Sequence, residues 1–298
     1  MKDHKKTAYP SGIHTAIVTP FSGSGTDMRA FSSLLEIQLR SGVSGVVVLG
    51  TTGEAPTVSP DERETLIKES ARLLSGKKAL TVGCSSNDTK TACENVRSAA
   101  SYGADYVLVS APYYNRPSQR GILRHFISVA DASPVPVIVY NVPSRTGVDV
   151  TCDTLSVLAS HPNIAACKEA GTDMAEITRK AVSSGMDLFC GNDSLLYHFL
   201  CLSAKGAVSV CSNTDPDRTC EIYDKYSSGD TEGARNAFFA MYRYLTALGC
   251  DTNPVPIKTV MAELGLISAA VRPPLCAISE KNKAELLYEA ACAGFYIK

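Results

Sequence analysis

The chain reads as an α/β protein, a (β/α)8 TIM barrel followed by a C-terminal helical extension. Three observations predict this. Eight short apolar, β-rich runs recur, amphipathic segments long enough for a helix lie between them, and strand-like texture stops after the eighth run.

The runs are Thr15 to Val18, Gly45 to Leu49, Ala79 to Val82, Tyr106 to Val109, Val137 to Tyr140, Ile164 to Cys167, Leu188 to Cys190 and Ala207 to Val210. They are continuously apolar instead of alternating, as expected of parallel strands covered by helices. Helix starts agree with this parsing. Ser59-Pro60-Asp61-Glu62 combines an N-cap, a proline at the first helical position and a capping-box glutamate. Asp215-Pro216 repeats the device, Asp173 with Glu176 offers a further cap, and Gly103 ends the Thr89 to Tyr102 segment where a left-handed residue is wanted. Eight runs favour closure over a doubly wound open sheet, the alternative architecture. From Cys220 onward the pattern is helical, with a proline-rich Arg272-Pro273-Pro274-Leu275, so the catalytic barrel is assigned to 1–224 and a C-terminal helical domain to 225–298.

Composition narrows the function. A chain of 298 residues with 45% hydrophobic and 20% charged residues can bury a large core. Its formal net charge of −1 provides no field to gather nucleic acid or an anionic membrane surface. No apolar run approaches the roughly 20 residues of a membrane-spanning helix. The polar start Met1-Lys2-Asp3-His4-Lys5-Lys6 lacks an apolar leader, so a cytoplasmic location is expected. The 11 cysteines contain no C-x-x-C, and with five scattered histidines no metal site is expected. Cys167, Cys190 and Cys211 sit in or beside apolar runs, where a reduced thiol behaves as a small hydrophobe.

In such a barrel the chemistry lies where the strands end, so polar residues there are the candidates. They are Thr51, Thr52 and Glu54 after the second strand, Tyr113 and Tyr114 after the fourth, Tyr140, Asn141 and Arg145 around the fifth, Lys168 and Glu169 after the sixth, and Asn192 and Asp193 after the seventh. All are expected to converge on one mouth. Lys168 follows Ile164-Ala165-Ala166-Cys167, and in a dry barrel mouth desolvation would favour a neutral amine able to condense with a ketone. Alone, a strand-end lysine more often snorkels to solvent. Tyr140 could shuttle protons beside that amine, or be a hydrogen-bonded interface aromatic. Gly50-Thr51-Thr52-Gly53-Glu54 could cradle a carboxylate with amides and hydroxyls, or be an ordinary turn. Arg145, in a turn-rich loop, could aim a guanidinium at a carboxylate or form a surface ion pair.

Taken together, Gly50-Thr51-Thr52-Gly53-Glu54, Pro112-Tyr113-Tyr114-Asn115-Arg116-Pro117, Tyr140-Asn141-Val142-Pro143-Ser144-Arg145-Thr146-Gly147 and Lys168-Glu169 resemble the dihydrodipicolinate synthase family of pyruvate-dependent Schiff-base aldolases. Asn253-Pro254-Val255-Pro256-Ile257-Lys258 and Arg272-Pro273-Pro274-Leu275 also look like that family, so the likeness spans nearly the whole chain. It implies a Schiff base between Lys168 and pyruvate, and a proton relay of Tyr140, Thr52 and Tyr114, the last entering from a neighbouring subunit. It further implies that Thr51 and Thr52 hold the pyruvate carboxylate, that Arg145 binds the carboxylate of aspartate 4-semialdehyde, and that Gly191 and Val208 line the pocket through their carbonyls. The product would be 4-hydroxy-tetrahydrodipicolinate, on the route to diaminopimelate and lysine. No metal or prosthetic group is implied, and the implied assembly is a dimer or dimer of dimers.

Many members are inhibited by lysine at a subunit interface. Matching positions Asn87 and Tyr113 are present, whereas histidine and glutamate positions of inhibited members hold Pro60, Arg63 and Thr91, so weak or absent inhibition is expected. Two other readings compete. An N-acetylneuraminate lyase or 2-keto-3-deoxy sugar acid aldolase would share the lysine and tyrosine, but its polyhydroxyl substrate would need the space of Arg145. A noncatalytic keto-acid binding protein would share the fold alone.

Overall fold

In a computed structural model of the chain, which describes residues 8–23 and 25–297, eight parallel strands close into a barrel. They are β1 (Gly12–Ala16), β2 (Gly45–Val48), β3 (Ala79–Gly83), β4 (Tyr106–Ser110), β5 (Val137–Asn141), β6 (Ile164–Glu169), β7 (Leu188–Cys190) and β8 (Gly206–Ser209). Each strand pairs with its sequence neighbour, and β1 completes the ring by pairing with both β2 and β8. The polar start of the chain, residues 1–7, lies outside the described residues.

One boundary differs clearly from the sequence reading. The first strand runs from Gly12 to Ala16, and Ile17 and Val18 leave the ladder as a buried connection. The polar His14 disguises the start of the strand: it is fully buried, with Nε2 2.7 Å from Pro10 O, beside the buried Thr15, which donates to Gln38 (2.7 Å). Smaller shifts place Lys168 inside β6, not after it, and end β8 at Ser209.

The helices are α1 (Met28–Arg40), α2 (Pro60–Leu74), α3 (Thr89–Ser101), α4 (Gln119–Ala132), α5 (Cys152–Ala159), α6 (Met174–Ser183), α7 (Leu196–Cys201) and α8 (Pro216–Ser227) around the barrel, then α9 (Thr231–Ala247), α10 (Val255–Glu263) and α11 (Glu280–Cys292). Their starts obey the expected local chemistry. Ser59 and Glu62 form a reciprocal capping box on α2, while Asp173 and Asp215 accept amide hydrogen bonds at the starts of α6 and α8. Gly103, at φ +104°, follows α3 where a side chain would be strained. The eighth barrel helix ends at Ser227, three residues beyond the boundary expected at 224.

Two apolar layers hold these elements. Outward side chains such as Val46, Val48, Val107 and Val139 pack under Phe31, Ile67 and Phe126 of the helices. Inward ones, among them Val47, Leu108, Ile138, Ala166, Phe189 and Val208, fill the barrel itself. The C-terminal helices bury Phe238, Tyr244 and Leu286 in one cluster with Ile13 and Ala207 of the barrel. Among the described residues no helix is long and apolar enough to cross a membrane. All 11 cysteines are free thiols.

Candidate active site

Successive side chains on a strand point to opposite faces, and this alternation sorts the candidates. In the register of β5 and β6, Tyr140 pairs with Lys168 and Asn141 with Glu169. Lys168 points inward, only 5% exposed, with Nζ 4.5 Å from the centre of the Tyr140 ring. Phe189 of β7, its other register partner, stands in the barrel core.

Asn141 and Glu169 point the other way and do not join this mouth, correcting the expected convergence. Asn141 Nδ2 donates to both Glu169 oxygens (2.9 Å) and to Asp149 Oδ1 (2.6 Å). Lys180 on α6 bridges Glu169 (3.0 Å) and Asp149 (2.8 Å). Burial alone would lower the Lys180 pKa, but the charges of Glu169 and Asp149 outweigh it and hold the ammonium above its ordinary value. This buried polar network anchors β5 to β6 beneath the two inward side chains.

Close approach explains a glycine. A Cβ on Gly191, just past β7, would sit 2.8 Å from Ala170 Cβ, 2.9 Å from Glu169 O and 3.1 Å from Lys168 Cε. The lysine stem occupies the space a side chain would need. Val208 on β8 faces the same interior and is buried. Asp193 accepts amides of Val210 (2.8 Å) and Cys211 (2.9 Å), so it pins the end of β8. Burial raises its pKa, partly offset by these hydrogen bonds and by the charge of Lys168.

The turn after β2 supplies Thr51, half-buried, and Thr52, buried. Thr52 Oγ1 accepts a hydrogen bond from Asn253 Nδ2 at 3.0 Å, across 201 residues of sequence. The carbonyl of Asn253 accepts one from Arg145 Nη2 at 3.2 Å, fixing the exposed guanidinium at the rim. Glu54, in the left-handed region at φ +52°, is buried and paired with the buried Lys258, while its second oxygen accepts the Arg272 amide (3.1 Å). Burial lowers the Lys258 pKa despite Glu54. The rings of contact extend to Phe21, with Lys258 and Arg272 each 4.2 Å from its centre. Asn253 and Lys258 carried no assigned role in the sequence reading, although their segment had been noted as family-like. Tyr114 stands apart, 88% exposed, with φ +66°.

A closed (β/α)8 barrel with a buried lysine and tyrosine side by side at the ends of adjacent strands defines a barrel enzyme of the lysine-dependent lyase class. The model of the Dihydrodipicolinate synthetase family matches residues 9–291. A 4-hydroxy-tetrahydrodipicolinate synthase of Leptospira biflexa is 39% identical over 277 residues, covering 92% of this chain and 94% of that one. The structure of a monomeric dihydrodipicolinate synthase variant superposes with a TM-score of 0.94 at 35% identity, covering 96% and 97% of the two chains. The chloride-inhibited dihydrodipicolinate synthase of Acinetobacter baumannii, complexed with pyruvate, gives 0.92 at 34% identity over 96% and 99%. The chain belongs to the dihydrodipicolinate synthetase family.

Proposed function

We propose that this chain condenses pyruvate with aspartate 4-semialdehyde to 4-hydroxy-tetrahydrodipicolinate, a step toward diaminopimelate and lysine, through an imine on Lys168. The observation that carries the reading is the buried Lys168 amine held against the Tyr140 ring at the mouth of a barrel filled with apolar side chains. The amine adds to the pyruvate carbonyl and the carbonyl oxygen leaves as water. The protonated imine is an electron sink, so the adjacent methyl group gives up a proton and an enamine forms. Its carbon attacks the aldehyde of the second substrate, the aldehyde oxygen takes a proton, and the substrate's own amine then displaces Lys168 as the ring closes.

Roles follow position. Tyr140 and Thr52 move protons inside the mouth. Thr51 and Thr52 hold the pyruvate carboxylate, with Gly191 and Val208 lining the pocket. Arg145, steadied by the Asn253 carbonyl, receives the carboxylate of the semialdehyde. Tyr114 has no role in its own barrel mouth at 88% exposure, and its left-handed backbone costs about 1 kcal/mol. Both features suit a side chain completed by a second copy, in a dimer or dimer of dimers. The chemistry belongs to the barrel, while the C-terminal helices α9 to α11 contribute from the rim.

The deciding experiment is borohydride trapping with pyruvate, mapped by peptide mass, beside a coupled assay with aspartate 4-semialdehyde. The proposal expects an adduct at Lys168, its loss in Lys168→Ala, and consumption of the semialdehyde. Trapping without consumption would move the assignment to a sugar-acid aldolase, and no adduct at Lys168 would remove the imine mechanism.

A further inference from the structure

We infer that Asn253, from the C-terminal helical part, is a positioning residue that sets the direction of the Thr52 hydroxyl proton and so makes the helical extension part of the active site. The inference rests on the proposed function. Its basis is one hydrogen bond and the chemistry of its two ends. A side-chain amide NH2 can only donate, so with Asn253 Nδ2 facing Thr52 Oγ1 at 3.0 Å, and Asn253 Oδ1 buried without a partner among the described residues, the contact occupies an acceptor position on the threonine. The hydroxyl hydrogen must then point away from Asn253. A threonine passing protons needs one acceptor side and one donor side in a known order, and Asn253 supplies that order.

Independent contacts hold Asn253 in place. Five residues further on, Lys258 pairs in full burial with Glu54, two residues beyond Thr52. Lys258 Nζ also donates to Ala270 O at 2.8 Å. The turn after β2 and the start of α10 are therefore clamped at two points, Thr52 to Asn253 and Glu54 to Lys258. The backbone of Asn253 meanwhile accepts Arg145 Nη2 at 3.2 Å. A single residue thus touches the hydroxyl assigned to proton transfer and the guanidinium assigned to the second substrate's carboxylate.

Two substitutions separate positioning from packing. Asn253→Ala removes the donor. Asn253→Asp keeps the shape but presents a carboxylate, ionised at neutral pH with an ordinary pKa of about 3.9, which only accepts. The Thr52 hydroxyl would turn to donate into it, taking its proton out of line. The readout is exchange of the pyruvate methyl protons in D2O, followed by NMR with pyruvate as the sole substrate. This reports enamine formation without the semialdehyde. We expect exchange to slow about 10-fold in Asn253→Ala, the scale of one hydrogen bond, and by at least as much in Asn253→Asp. The Michaelis constant for pyruvate should change less than the rate. The final yield of borohydride-trapped adduct and the thermal midpoint should stay close to those of the parent, showing an intact fold. Parent-like exchange in Asn253→Asp would overturn the positioning role. Absence of exchange in the unsubstituted protein would instead overturn the proposed function, and the role of Asn253 with it.

Discussion

The two ends of the barrel are built from the same strands with opposite chemistry. At the N-terminal end Tyr9 closes the interior: its ring stacks on His14 at 4.2 Å, meets Tyr106 and Phe189 edge-on at 4.9 Å, and its hydroxyl reaches Thr81 at 3.0 Å. Burial lowers the His14 pKa to about 4, so the ring is neutral. At the C-terminal end the inward residues are Lys168 and Tyr140, and the loops beyond the strands link Thr52, Asn253 and Arg145 in a chain of hydrogen bonds. The comparison teaches that one end is closed by a packed aromatic plug, in which only Nε2 of the buried His14 ring finds a partner, while the other presents the polar groups proposed for the chemistry. Phe189 stands between the two.

The sharpest way to break this division is to truncate the plug. Tyr9→Ala should destabilise the protein by about 3–5 kcal/mol, as for other buried aromatics, while leaving kcat within about twofold below the unfolding range. Denaturant titration beside the coupled assay checks it, and a large loss of kcat in folded protein would erase the division. At the other end the expectation is reversed. Tyr140→Phe should lower kcat by about 10²-fold with little change in unfolding midpoint.

A smaller effect separates the ends by pH. His14 and His125 both have pKa values lowered to about 4 by burial, below the 6.5 of the unfolded chain. Each ring binds more protons when unfolded, so their contribution is full above pH 6.5 and is lost as pH falls toward 4. The slope is about 1.4 kcal/mol per pH unit for each ring. Melting curves between pH 7 and 5 should shift downward, and His14→Gln should flatten that dependence if it folds. The smallest effect expected is that of lysine, which should inhibit the initial rate weakly or not at all. The Arg63 guanidinium hydrogen-bonds Gly83 O and lies 3.6 Å from Cys84 Sγ, a cation where a cationic effector would need acceptors. A lysine titration showing strong inhibition would refute this.

Much of the architecture was legible because most of the strands carry short apolar runs and the helix starts carry their own capping chemistry. The first strand was placed too late because its buried His14 looks like a loop residue until its partner is known, while the apolar Ile17 and Val18 beyond the ladder look like strand. Proximity to a strand end also singled out Lys168 and Tyr140, which pair in register on adjacent strands. It failed for Asn141 and Glu169, since a shift of one residue along a strand reverses the face. Asn253 could not be reached by such reasoning, because its bond to Thr52 spans 201 residues and belongs to no local pattern.

That long-range clamp has a consequence for the timing of synthesis. A ribosome releases Thr52 and Glu54 about 200 residues before Asn253 and Lys258, so the barrel can be largely assembled while its mouth is unfinished. Until Lys258 arrives, Glu54 must stay solvated or unpaired, and a buried carboxylate without its partner costs about 3–5 kcal/mol. A nascent or C-terminally shortened chain would therefore hold its reactive lysine behind an unformed rim, and catalytic competence would come only with the last quarter of the polypeptide.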